Sequence, residues 1–218
     1  MSVRLFTRTL CKGGHMSLLV RNILSGNSRA VELHLRKQRL PKKCGKELVA
    51  AMGPHPRILD AVLAAVVRHA RRRWHRVAQV RASMRHAVRS AAMLGRVAAM
   101  TRVLDVANSL GVRFSFYDWQ AVWGAILRHG SKELVVALLA HLTRGTTLTS
   151  CDQLPFIMRR FLEMACALTQ LRTVRQLLSF CALKTLPLDL RQPLQVATNR
   201  GHTGAIRALS EYKYTSMY

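Results

Sequence analysis

Two stretches decide the reading of this chain: "AVRSAAMLGRVAAMTRVLDVANSLG" (87–111) and "AVWGAILRHGSKELVVALLAHLTRG" (121–145). Each runs apolar helix, Gly turn, helix, Gly stop. Gly95 and Gly130 are 35 residues apart, and Gly111 and Gly145 are 34 apart. Self-similarity at such a period marks a repeat architecture, in which no unit can bury its apolar stripe alone and neighbours must stack. Weaker echoes occur at "LLVRNILSGNSRAVELHL" (18–35), "IMRRFLEMACALTQLRTVRQLLSF" (157–180) and "PLQVATNRGHTGAIRALSEY" (193–212). Strand signals are scarce, and "VRFSFYD" (112–118) alternates too briefly to count as more than a connector, with Asp118 capping the helix that follows. The expectation is an all-α fold, a short α-solenoid of about five helical hairpins. It would comprise a basic arm at 1–16, a repeat domain at 17–212 and a tail at 213–218.

A second stretch carries the charge. "VVRHARRRWHRVAQVRASMRHAVRSAAMLG" (66–95) has no carboxylate, and ten arginines lie between Asp60 and Asp105 with no acid to balance them. The window from Arg57 to Leu94 is free of Gly and Pro, which leaves open one long helix or two nearly collinear ones. At helical periodicity Leu63, Val66, Val67, Ala70, Trp74, Val77, Val80, Met84, Val88 and Ala91 share one face. Arg68, Arg71, Arg72 and Arg76 fall on the opposite side, with Arg73, Arg85 and Arg89 adding to the basic surface. The stripe is mostly Ala and Val, sized for helix packing and not for burial in a lipid interface. Trp74 shares the apolar face and is read as core.

The whole chain repeats the imbalance. Its 218 residues hold 35 Lys and Arg against 10 Asp and Glu, a formal charge of +25. Half the residues are hydrophobic, so a core should form and disorder is excluded as the general state. Self-repulsion at that charge opposes folding unless a polyanion neutralises it. Arginine forks bind phosphate oxygens bidentately, and Arg68, Arg72 and Arg76 recur every turn, so RNA phosphates are the expected counterpart. Eight such contacts on single-stranded RNA would give a salt slope of about −6. A further basic cluster, "RKQRLPKKCGK" (36–46), reads as a loop whose Lys42 and Lys43 reach into RNA.

Enzymatic motifs are missing: there is no P-loop, no GxGxxG after a strand, no HExxH and no nucleophile elbow. Five scattered cysteines contain no CxxC pair or zinc-finger spacing, so no metal, cofactor or small-molecule substrate is expected. Cys166 and Cys181 lie in apolar helical runs and read as small buried hydrophobes. His69, His75 and His86 sit among arginines, where positive potential disfavours their protonation. No uncharged apolar run of membrane-spanning length occurs. The first 29 residues, "MSVRLFTRTLCKGGHMSLLVRNILSGNSR", are basic, hydroxyl-bearing and free of acid, the composition of a mitochondrial targeting segment.

The unit "YDWQAVWGAILRHGSKELVVALLAHLTRG" (117–145) resembles a pentatricopeptide repeat: Trp119, Val122, Trp123 and Ile126 match its helix-A packing positions and Gly130 its turn. The resemblance implies that Gln120, and Arg85 in the preceding unit, occupy the positions that read RNA bases in that family. "PLQVATNRGHTGAIRALSEY" is more similar to an ankyrin repeat, with Gly201 and His202 at the inter-helix turn. Taken with the charge and the N-terminal composition, the chain resembles repeat-bearing accessory subunits of kinetoplastid-type mitochondrial ribosomes. That resemblance implies a non-enzymatic protein of the mitochondrial matrix, bound to rRNA and to other mitoribosomal proteins. Two alternatives stand beside it: a free pentatricopeptide-like factor in organellar RNA processing or editing, and an ankyrin-like protein adaptor.

Overall fold

The computed structural model describes residues 17–37, 44–53, 55–72, 77–144 and 153–215. Among them the fold is all-α, with twelve helices and no strand. The basic arm 1–16, Lys42, Lys43, Arg73, Trp74, His75, Arg76 and Gly145 lie outside the described residues.

The helices group into two compact units, Met1–Val112 and Arg113–Tyr218. The first holds α1 (Leu18–Leu24), α2 (Ser28–Lys37), α3 (Gly45–Ala51), α4 (Pro56–Arg72), α5 (Val77–Met93) and α6 (Val97–Ser109). Successive helices pair as α1 with α2, α3 with α4 and α5 with α6. Alternate helices then form two rows, α1–α3–α5 and α2–α4–α6. The second unit holds α7 (Phe116–His129), α8 (Lys132–Thr143), α9 (Gln153–Ala167), α10 (Leu171–Leu183), α11 (Arg191–Asn199) and α12 (Thr203–Thr215). It repeats the scheme, with rows α7–α9–α11 and α8–α10–α12.

The described residues form five closely packed pairs of successive helices, while α7 and α8 meet less closely and each packs chiefly along its own row. One of the five, α3–α4, has no counterpart among the sequence echoes. It arises because the window from Arg57 to Leu94 is divided between two helices, and α4 and α5 belong to different pairs and different rows. The basic stretch 36–46, read as a loop, has its ends in helices: α2 runs to Lys37 and α3 begins at Gly45.

The apolar stripe read from the sequence is the core. Leu63, Val66, Ala70, Val80, Met84, Val88 and Ala91 are buried, while Val67 is half-exposed. In the second unit Trp119, Trp123, Ile126 and Phe161 are fully buried. The Trp123 ring stacks on Phe161 at 4.3 Å between centroids and 6° between planes. Its indole N–H donates to the Phe161 carbonyl at 3.1 Å. The amide of Gln170 donates to the Leu127 carbonyl at 2.6 Å, tying the α9–α10 turn to α7.

Except between α3 and α4, the turns between the two helices of a sequence unit carry a left-handed residue after the first helix. Gly130 ends α7 at φ 72°, its N–H bonding the Ile126 carbonyl. Gly26 ends α1 at φ 74°, and a β-carbon there would stand 2.5 Å from the His55 ring nitrogen. The left-handed backbone favours glycine at both positions, and at Gly26 a side chain would also have to displace the His55 ring. Between α9 and α10 the same position is Thr169, at φ 54°. The absence of glycine there explains why that echo is weak in the sequence.

Asp118 takes part in capping α7 but is not its N-cap residue. The N-cap is Ser115, whose hydroxyl accepts the Asp118 N–H at 3.3 Å, while the Asp118 carboxylate accepts the Ser115 N–H at 2.8 Å. This reciprocal capping box starts the helix earlier than the alternating segment implied. Ser115→Ala is expected to cost about 1 kcal/mol in chemical denaturation.

Candidate nucleic-acid interface

The first unit carries the excess charge. Its sequence holds 22 Lys and Arg against four carboxylates, while the second holds 13 against six. One of the four acids, Glu47, is buried, and another, Asp60, is ion-paired with Arg102.

On α4 the residues outside the apolar stripe form an exposed ridge containing Arg57, Asp60, Ala64, Arg68 and Arg71. Arg68 and Arg71 are about one turn apart, a rise near 5 Å. Among the described residues no carboxylate pairs with Arg57, Arg68, Arg71 or Arg89. Arg72 lies in the last turn of α4. Arg89 is exposed on α5, and Arg85 is half-buried on the same helix. Since α4 and α5 stand in different rows, Arg68 and Arg71 occupy one row and Arg85 and Arg89 the other. Helical periodicity places Arg68 and Arg71 on the exposed side of α4, as found, while Arg73 and Arg76 lie outside the described residues. Gln120 is exposed on α7, in the other unit.

His86, beside Arg89, is held below the ordinary imidazole value of 6.5, first by burial and then by the Arg89 guanidinium. The native state thus binds this proton less readily than the unfolded chain does. Acidification through 6.5 should favour unfolding, and above that value the group is neutral in both states and adds no pH dependence. A native NMR titration midpoint below 6.5 is expected, and His86→Gln should reduce the acid-side loss of stability.

The second unit contains an arginine cluster that the sequence reading missed, although Arg159 and Arg160 stand in a quoted repeat. Arg159, Arg160 and Arg191 surround a polar pocket of about 500 Å³ with Asp189 and Gln192. Two carboxylates of the protein offset much of the charge of these three guanidiniums. Arg160 pairs with Glu163 at 2.6 Å, Arg191 with Asp189 at 2.8 Å, and Arg159 approaches both acids at 3.5 and 3.8 Å. The Arg191 fork holds the Asp189 carboxyl down to about 2. Arg159 also lies over the Phe156 ring at 5.0 Å. An anion entering this pocket would meet the Asp189 carboxylate among the arginines, whereas the one acid on the α4 ridge, Asp60, is paired with Arg102.

Nucleophilic chemistry finds little support in the thiols. Cys44, Cys166 and Cys181 are buried and free. Burial raises Cys166 to about 11 and Cys181 to about 12, so both are thiols and not thiolates at neutral pH. Among the described residues no group of three His, Cys, Asp or Glu side chains could hold a metal ion. Among them, too, no helix is long and apolar enough to cross a membrane.

The arrangement defines a protein of paired, stacked helices whose first unit is strongly cationic. No protein-family model, curated protein or solved structure matches the chain.

Proposed function

We propose that the chain is a structural, non-enzymatic RNA-binding component of a mitochondrial ribosome, working in the matrix. Its helix pairs stack as a short α-solenoid, its arginines neutralise rRNA phosphates, and its remaining helical surface meets neighbouring ribosomal proteins. The observation that carries this reading is the charge of the first unit: 22 basic side chains against four acids, with Arg68 and Arg71 exposed on one ridge. Such a surface repels itself in isolation and is stabilised by a polyanion. Phosphate contacts release condensed counterions, so the affinity should be broad in sequence and steep in salt.

Gradient sedimentation of tagged protein from mitochondria, with and without ribonuclease, tests it. Co-sedimentation with ribosomal particles, lost on ribonuclease treatment, is the expected result. Migration in light fractions under both conditions would remove the ribosomal reading. Recovery on one defined transcript would favour a free RNA-processing factor.

A further inference from the structure

The second unit has an open groove of about 820 Å³ between α8 and α10, which meet only over a short stretch. Its floor is aliphatic and aromatic, formed by Val136, Leu139, Leu171, Phe180 and Leu183. Two of these are costly to leave in water: Val136 is 52% exposed and Leu183 80%. Four cations edge the floor, Lys132 and Arg172 at the N-terminal ends of the two helices, Arg175 one turn further, and Lys184 at the far end. Among the described residues no carboxylate lines it. The nearby Glu133 is engaged by the Ser131 hydroxyl at 2.7 Å, and its carboxyl is held below the usual range chiefly by that bond, with Arg172 and Lys132 contributing.

We propose that this groove docks an amphipathic helix of a protein partner whose apolar face is flanked by aspartate or glutamate. The apolar floor calls for side chains at i, i+3, i+4 and i+7, the spacing with which a helix fills such a groove. The cationic rim selects acids on either side of that stripe and repels basic helices, including this chain's own. α8 has 12 residues and α10 has 13, so the site accommodates about three turns of partner. RNA fits less well, because the carbon floor offers phosphates nothing. A fatty acyl chain would require an enclosed cavity in place of an open trough. The inference is independent of the ribosomal reading, since every residue of the groove lies in the other unit from the α4 ridge.

The test is selection of helical peptides of about 14 residues from a display library on the full-length chain. Enriched sequences should combine the apolar spacing with flanking acids. Their affinity should fall about 10-fold or more in Val136→Glu and in Leu183→Glu, and in Arg172→Glu/Arg175→Glu. Val136 and Leu183 are exposed, so helical circular dichroism should be unchanged in these variants. Arg68→Gln/Arg71→Gln/Arg89→Gln should leave peptide binding intact, which separates this inference from the RNA reading. No enrichment, enrichment without acids, or binding that survives the groove substitutions would overturn the proposal. So would an oligouridine RNA or anionic phospholipid vesicles whose binding is lost in Val136→Glu while peptides fail to bind.

Discussion

Trp123→Ala is expected to lower the stability of the second unit by about 3–5 kcal/mol, the range for a fully buried large aromatic. Trp123 has no exposed surface, and it contributes at once to packing and to hydrogen bonding. Its ring covers Phe161 in a near-parallel stack at 4.3 Å, and its N–H reaches the Phe161 carbonyl at 3.1 Å. Alanine would remove the transfer free energy of the indole, leave a cavity between α7 and α9, and strip one face of Phe161. Trp123→Phe should recover most of the loss, because it retains a ring on Phe161 and sacrifices chiefly one hydrogen bond, about 1 kcal/mol. Urea denaturation followed by far-UV circular dichroism measures both variants. A loss below about 1 kcal/mol for alanine would mean that the α7–α9 joint is not a principal core contact.

The second large effect is on RNA. In Arg68→Gln/Arg71→Gln/Arg89→Gln the dependence of log affinity on log salt should flatten by about 2 for single-stranded RNA, since each lost phosphate contact removes about 0.7. Affinity at low salt should fall on the order of 10- to 100-fold across unrelated sequences, because phosphate contacts carry no base information. Arg159→Gln/Arg191→Gln should do much less. Much of the charge of those guanidiniums is already offset by Glu163 and Asp189, so they displace few counterions on binding. Fluorescence anisotropy over a salt series reads both variants. An unchanged slope in the triple variant would show that the α4 and α5 arginines do not touch phosphate.

The legible and illegible parts of this chain divide along physical lines. Burial follows helical periodicity, so Leu63, Val66, Val80, Met84 and Val88 could be assigned to the core and Arg68 and Arg71 to solvent without coordinates. The turn glycines were equally readable, because Gly26, Gly95, Gly130 and Gly201 all adopt the positive φ that glycine accepts most readily. The α3–α4 pair was not readable. α3 is only seven residues long, follows a run of lysines, and ends at Met52 with no left-handed glycine to announce its turn. Nor does any Gly or Pro separate α4 from α5.

Local sequence determined by itself that the chain is helical, which side of each helix is apolar, and that its positive charge lacks enough acid to balance it. These are properties of neighbouring residues and of totals. Only tertiary packing decided which arginines share a surface. α4 packs along its row with α2 and α6 and α5 along its own with α3, the two helices touching each other only over a short stretch, so residues close in sequence enter different rows. The carboxylates of the second arginine cluster divide the same way. Glu163 lies one helical turn from Arg159 and Arg160, and Asp189 two residues from Arg191, so these pairs are local, whereas packing of α9 against the segment before α11 was needed to bring Asp189 within 3.8 Å of Arg159.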